Sequence, residues 1–176
     1  MDYINGKKLK LLVTEEEIKS RIKTISREIE RFFPEEELIV VGLLKGAFVF
    51  TADIIRELRK DIRVDFLWVS SYGSSMKSSG IIKIIKDIDM DIKGKQVLLI
   101  DDVLDSGLTL KEIQEFIKRK NPSKFATAVA VRKKKKDNED VKVEFVGFEV
   151  PDYFLVGYGM DWDEKGRHLS GIYAVE

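Results

Sequence analysis

A chain of 176 residues, 44% hydrophobic and 35% charged, has room for one domain with a proper core, and it is neither a disordered tail nor a bilayer-spanning polypeptide. Lysine plus arginine and aspartate plus glutamate number 31 each; a formal charge of zero argues against bulk nucleic-acid binding but leaves room for a local basic pocket. There is no cysteine, which excludes disulfides, thiolate metal sites and cysteine nucleophiles, and the first six residues lack signal-peptide character, so a cytoplasmic location is expected.

In chain order, Thr14 followed by Glu17 reads as a capping box. Behind it Ile18, Ile22, Ile25, Ile29 and Phe32 recur at helical spacing, predicting an amphipathic helix that stops near Pro34. Residues 38–44 are almost continuously apolar, as expected of a strand buried on both faces. A helix over 47–59 and a strand over 64–69 follow. Residues 70–80 hold six serines and two glycines with little to bury, which predicts a surface loop, with a strand on its far side at 81–85. Strands are expected at 96–100, 125–131, 144–150, 154–158 and 171–175. A helix over 107–120 ends at Asn121-Pro122, and a charged turn spans 133–140. Alternating apolar strands and amphipathic crossovers predict an α/β fold with a parallel sheet and helices on both faces. Residues 1–176 then form one domain, with a small hood from about 1–15 and 150–176.

The sharpest chemical feature lies at 97–109. A hydrophobic strand delivers Asp101 and Asp102 at its carboxyl end, and a short turn brings Asp105, Ser106, Gly107, Leu108 and Thr109 to the start of a helix. In open α/β sheets the ligand crevice lies at the carboxyl ends of the strands. Free N–H groups at a helix start favour a phosphate, and hydroxyls add donors. Two acids beside such a cradle suit ribose hydroxyls or a bridging Mg²⁺. Either acid alone also fits a solvated strand end; the combination with a third acid and Ser-Gly-x-Thr is much rarer.

This segment resembles the phosphoribosyl-pyrophosphate (PRPP) motif of the type I phosphoribosyltransferases, with Asp101 where the purine branch usually has Glu and Ser106 for the more usual Thr. The likeness extends over nearly the whole chain and narrows to the hypoxanthine–guanine branch. Leu44-Lys45-Gly46 is similar to that branch's pyrophosphate loop, in which the bond after the lysine can be cis; by itself Lys45 also fits a snorkelling surface lysine. Ser71 and Tyr72 head what looks like the family's catalytic lid. The stretch 145–161 is similar to the base-binding segment. By that match Phe154 stacks on the purine, the backbone of Leu155 meets the base edge, and Asp161 holds Mg²⁺ near pyrophosphate. Arg167 matches an arginine that contacts pyrophosphate. Read without the resemblance, Phe154 fits plain strand core, Asp161 a turn and Arg167 a surface charge. Lys133, twenty-one residues before Phe154, matches the lysine that reads the exocyclic oxygen, although a run of four lysines is usually a solvated turn. His168, the only histidine, receives no role.

The resemblance implies a purine-salvage enzyme that moves the phosphoribosyl group from PRPP to hypoxanthine or guanine with Mg²⁺, using Asp105 as general base. Asp101, Asp102 and Asp161 are the metal candidates. A homodimer or homotetramer is expected, with no nucleic-acid or membrane partner. Two readings compete: a xanthine-preferring enzyme, and a non-catalytic nucleotide-binding regulator on the same fold.

Overall fold

The computed structural model describes residues 3–71 and 82–176. Its elements are β1 (Tyr3–Ile4), β2 (Lys7–Val13), α1 (Glu15–Phe32), β3 (Glu37–Leu44), α2 (Phe48–Glu57), β4 (Asp61–Ser71), β5 (Ile82–Lys86), β6 (Gln96–Leu104), α3 (Leu108–Lys118), β7 (Lys124–Lys133), β8 (Phe145–Val150), β9 (Leu155–Val156) and β10 (Ile172–Val175), with a short 3₁₀ turn at Lys136–Asn138. Among the described residues, no helix is long and apolar enough to cross a membrane.

Six strands form the main sheet in the order β5-β4-β3-β6-β7-β8. All neighbours are parallel except β5, which runs antiparallel to β4. The central strands are apolar along their length because both faces are covered: Leu38 to Val41 and Val97 to Ile100 are fully buried. From β3 the chain crosses through α2 leftward to β4, and from β6 it crosses through α3 rightward to β7. Right-handed crossovers in opposite directions put α2 and α3 on opposite faces. Helix α1 packs beside α2 and against β8. It starts at the expected capping box, with Thr14 Oγ1 accepting from the Glu17 amide at 3.2 Å and Glu17 Oε2 accepting from the Thr14 amide at 2.8 Å. It buries Ile18, Ile22, Ile25 and Ile29.

The termini build a second sheet, β1-β2-β10-β9, antiparallel throughout. Ile4, Leu9 and Val156 form its own small apolar cluster.

Several boundaries move. The loop expected from residue 70 begins later, because Ser70 and Ser71 pair with Lys83 and Ile82 as the end of β4. Tyr72 and the remainder of that expected loop, to 80, lie outside the described residues. Strand β6 continues through Asp101 and Asp102 to Leu104, since both residues flank or join the ladder to β7. The strand expected over 154–158 is only Leu155–Val156: Gly157, Tyr158 and Gly159 all adopt positive φ and turn the chain away.

Candidate active site

The order of the main sheet reverses direction between β3 and β6, and at such a point two diverging crossovers leave a crevice beyond the strand ends. The carboxyl end of β3 delivers Lys45 and Gly46, and that of β6 delivers Asp101 and Asp102. Together with Trp68, Thr109, Asp161, Glu164 and Arg167 these residues line one cavity of about 330 Å³. The fold therefore brings together seven residues singled out from sequence and adds Trp68 and Glu164.

The floor of this cavity is tightly built. A cis peptide joins Leu44 to Lys45, one bond earlier than the family comparison suggested. The Asp102 carboxylate lies over Gly46 so closely that a Cβ there would sit 1.8 Å from Oδ2, so only glycine fits beneath it. Asp101 Oδ1 accepts from the Asp102 amide at 2.9 Å, and Asp102 Oδ1 from the Val103 amide at 2.9 Å. Desolvation, and then the adjacent Asp102 charge, push the Asp101 carboxyl well above the ordinary range.

Across the cavity, Arg167 pairs with Asp161 Oδ1 at 2.8 Å and with Glu164 at 3.2 Å, and donates to the Gly159 carbonyl at 2.9 Å. Lys45 Nζ meets the other Glu164 oxygen at 2.9 Å and lies 5.9 Å from the Trp68 ring. Glu164 thus sits between the two cations expected to bind pyrophosphate. Those two contacts depend on folding, and an acid in a charged turn gave no signal in the sequence.

Among the described residues, no three acidic or imidazole groups converge closely enough to hold a metal alone. Asp101, Asp102 and Asp161 nevertheless present hard oxygens to one cavity. That donor set fits a small divalent cation that keeps water and completes its shell with substrate oxygens.

The turn after β6 starts α3. Gly107 is its N-cap at φ 81°, and among the described residues no side chain caps the helix start. A Cβ at Gly107 would meet Val141 Cγ2 at 2.3 Å, so glycine is required here by packing against Val141 and by its left-handed φ. Ser106 and Thr109 are half-buried and Leu108 is exposed. Of these, Thr109 lines the cavity.

Beside this turn, Lys133 is the last residue of β7 and is not part of a solvated turn: its side chain is only 10% exposed. Lys133 Nζ contacts Asp105 Oδ2 at 2.7 Å, and Lys135 Nζ contacts Oδ1 at 2.5 Å. Burial acts to raise the Asp105 carboxyl, but hydrogen bonds from Lys133 and Lys135 outweigh it and hold the group below the usual carboxylate range. Asp152 lies 3.5 Å from Lys133 and 3.0 Å from Lys135. Two residues on, Phe154 is 52% exposed, so it is not core; its ring meets Trp162 edge-on at 5.6 Å. Trp162 follows Asp161, which lines the cavity, so the Phe154 ring is linked to that wall through Trp162. Leu155 is buried in β9.

This geometry coincides with similarity to known proteins. The model of the phosphoribosyl transferase domain matches residues 11–163. A hypoxanthine-guanine phosphoribosyltransferase of Aquifex aeolicus is 56% identical, covering 100% of the chain and 99% of the relative. A hypoxanthine phosphoribosyltransferase of Salmonella typhimurium is 42% identical, with 93% of each covered. The crystal structure of a Bacillus anthracis hypoxanthine-guanine phosphoribosyltransferase, with a HEPES molecule in its active site, superposes with a TM-score of 0.90 at 40% identity, covering 95% of this chain and 98% of that one. With the switch-point crevice and the acidic strand end, these matches show that the chain belongs to the phosphoribosyltransferase family.

Proposed function

We propose that the chain transfers the 5-phosphoribosyl group from PRPP to hypoxanthine or guanine, giving IMP or GMP and pyrophosphate, as a cytoplasmic purine-salvage enzyme. The observation that carries this reading is the shared cavity of Lys45, Gly46, Asp101, Asp102, Thr109, Asp161 and Arg167, taken together with the Asp105–Lys133 pair and the exposed Phe154 ring. Cations face where pyrophosphate leaves, acids face a ribose, and an open aromatic face waits for a base.

In this reading the uncapped start of α3, with Ser106 and Thr109, anchors the 5′-phosphate and so positions the anomeric carbon. The acids Asp101 and Asp102 address the ribose hydroxyls. Mg²⁺ would be held by Asp161, Asp101 and Asp102 with substrate oxygens, and when bound it supplies electrophilic stabilisation to pyrophosphate. Lys45 and Arg167 exchange Glu164 for the departing pyrophosphate and stabilise the charge growing there. The C–O bond to pyrophosphate breaks as a purine ring nitrogen bonds to the anomeric carbon, through a transition state with oxocarbenium character. Phe154 stacks on the purine, and the Leu155 backbone meets its edge.

Asp105 takes the imidazole proton of the base. Two lysines make a carboxylate a weak base. An oxopurine supplies the remedy: when Lys133 turns to the exocyclic oxygen, Asp105 loses one cation and gains proton affinity. Adenine offers an amino group at that position, so it cannot recruit Lys133.

The test is a panel of hypoxanthine, guanine, xanthine and adenine with PRPP and Mg²⁺, read as pyrophosphate release. Turnover with hypoxanthine or guanine and none with adenine is expected. Turnover only with xanthine would move the reading to that substrate, and silence with all four would overturn it. We expect a homodimer or homotetramer, to be read by sedimentation.

A further inference from the structure

The lysine run at 133–136 is sorted by backbone alternation. Lys133 ends β7, and Lys135 continues extended at φ −133°, ψ 145°, so these two share a face. Both reach Asp105, but by different oxygens: Lys133 takes Oδ2 and Lys135 takes Oδ1. Asp152 closes a ring of two acids and two bases. Asn138 fixes the frame beneath it, its buried amide donating to the carbonyls of Lys133 at 2.9 Å and Asp105 at 2.5 Å.

A carboxylate that is 49% exposed does not need two cations to be ionised near neutral pH. The second lysine adds direction. The terminal torsion of aspartate is broad, and a single donor on one oxygen leaves the carboxylate plane free to turn. Donors on both oxygens fix it. Lys133 has a competing task at the base, so it cannot hold Asp105 throughout the reaction. Lys135 has no such task and is itself held by Asp152.

We infer that Lys135 is a positioning residue, holding the Asp105 carboxylate in its working orientation through Oδ1 while Lys133 is engaged with the base. The inference rests on the function proposed above, in which Asp105 acts on the purine. Among the described residues, the charged groups facing Asp105 are Lys133, Lys135 and Asp152; Lys111 of α3 is paired with Asp140 at 2.6 Å instead.

Two measurements on Lys135→Met test this. The first is a carbon-13 carboxyl titration of Asp105 in the ligand-free protein, expected to move up when one of its two cations is removed. The second is steady-state kinetics, expected to show kcat about tenfold lower from misorientation, with KM for PRPP within about twofold. Lys135→Arg should recover most of kcat. An unmoved Asp105 titration together with an unchanged kcat overturns the inference. So does a parallel loss of kcat, both KM values and thermal stability that Lys135→Arg does not repair, since that pattern marks a merely structural residue. If the unaltered protein turns over none of the bases, the proposed function fails by itself, and the titration still decides whether Lys135 governs Asp105.

Discussion

Single side chains in this crevice hold one another in check until substrate arrives. Asp105 is ionised and doubly paired, so replacing it by asparagine preserves shape and one hydrogen-bonding oxygen while removing the proton acceptor. Asp105→Asn should keep KM for PRPP within about twofold and lower kcat by about 10² to 10³, the range of a lost general base; a normal kcat would remove Asp105 from that role. Glu164 presents the opposite case. Its carboxylate is held low by hydrogen bonds from Lys45 and then Arg167, and it occupies those cations in the absence of an anion. Its side chain is 64% exposed, so these pairs are weak and screened by salt. Glu164→Gln should therefore lower KM for PRPP by about two- to threefold at low ionic strength, with the gain vanishing at high salt. Titrating PRPP at two salt concentrations checks it; an increase in KM would mean that Glu164 helps to bind the donor.

At the scale of elements, strand β4 is held to the segment after β5 by one buried acid. Asp65 Oδ2 accepts from the amides of Asp89 at 2.7 Å and Met90 at 3.1 Å, Oδ1 accepts from the Phe66 amide at 2.7 Å, and Lys86 lies 3.4 Å away. Burial alone would raise this carboxyl, but the three amides and Lys86 prevail and its pKa is lowered. A carboxyl with a lowered folded-state pKa contributes stability that is complete above its unfolded value of about 4 and is lost as pH falls toward the folded value. Asp65→Asn should thus lower Tm by about 4–8 °C at neutral pH, for a loss of about 2 kcal/mol, and the gap should narrow as pH drops below about 4. A gap that stays constant to pH 3 would show that Asp65 is not the group responsible. The strands themselves were largely readable, because burial on both faces leaves uninterrupted apolar runs such as 38–44. Strand β2 was not: in Lys7-Lys8-Leu9-Lys10-Leu11-Leu12-Val13 only Leu9 and Val13 are buried, too few to set a period of two against the lysines. Within the site, Asp101, Asp102 and Lys133 could be named because a motif fixes their spacing. Lys135, Glu164 and Trp68 could not, because their contacts join residues 30, 119 and 23 positions apart through the fold.

Across the whole molecule, both ends of the chain converge on the wall proposed to bind the base. β10 lies between β2 and β9, pairing Ala174 with Leu155 on one side and Val175 with Leu9 on the other. Val175 donates its amide to the Phe154 carbonyl at 2.9 Å, so the residue expected to stack on the purine is tethered by the last strand. The donor cavity draws Lys45, Asp101 and Thr109 from the ends of β3 and β6 and the start of α3, and only Asp161, Glu164 and Arg167 from the segment between β9 and β10. The main sheet core, with Val97 to Ile100 fully buried, makes no use of β10 for its own pairing. Removing residues 173–176, which leaves Ile172 in the main core, should then loosen one substrate site and spare the other. The strand's loss leaves the Phe154 carbonyl and β9 without their ladder, so the ring no longer has a fixed plane on which a base can stack. KM for hypoxanthine should rise by about tenfold or more, the equivalent of about 1.4 kcal/mol of stacking, while KM for PRPP changes by less than about threefold. Far-ultraviolet circular dichroism would verify that the main sheet persists in the shortened chain. Equal increases in both KM values would show that the hood and the switch-point crevice are a single mechanical unit, contrary to the separation of their hydrogen-bond ladders.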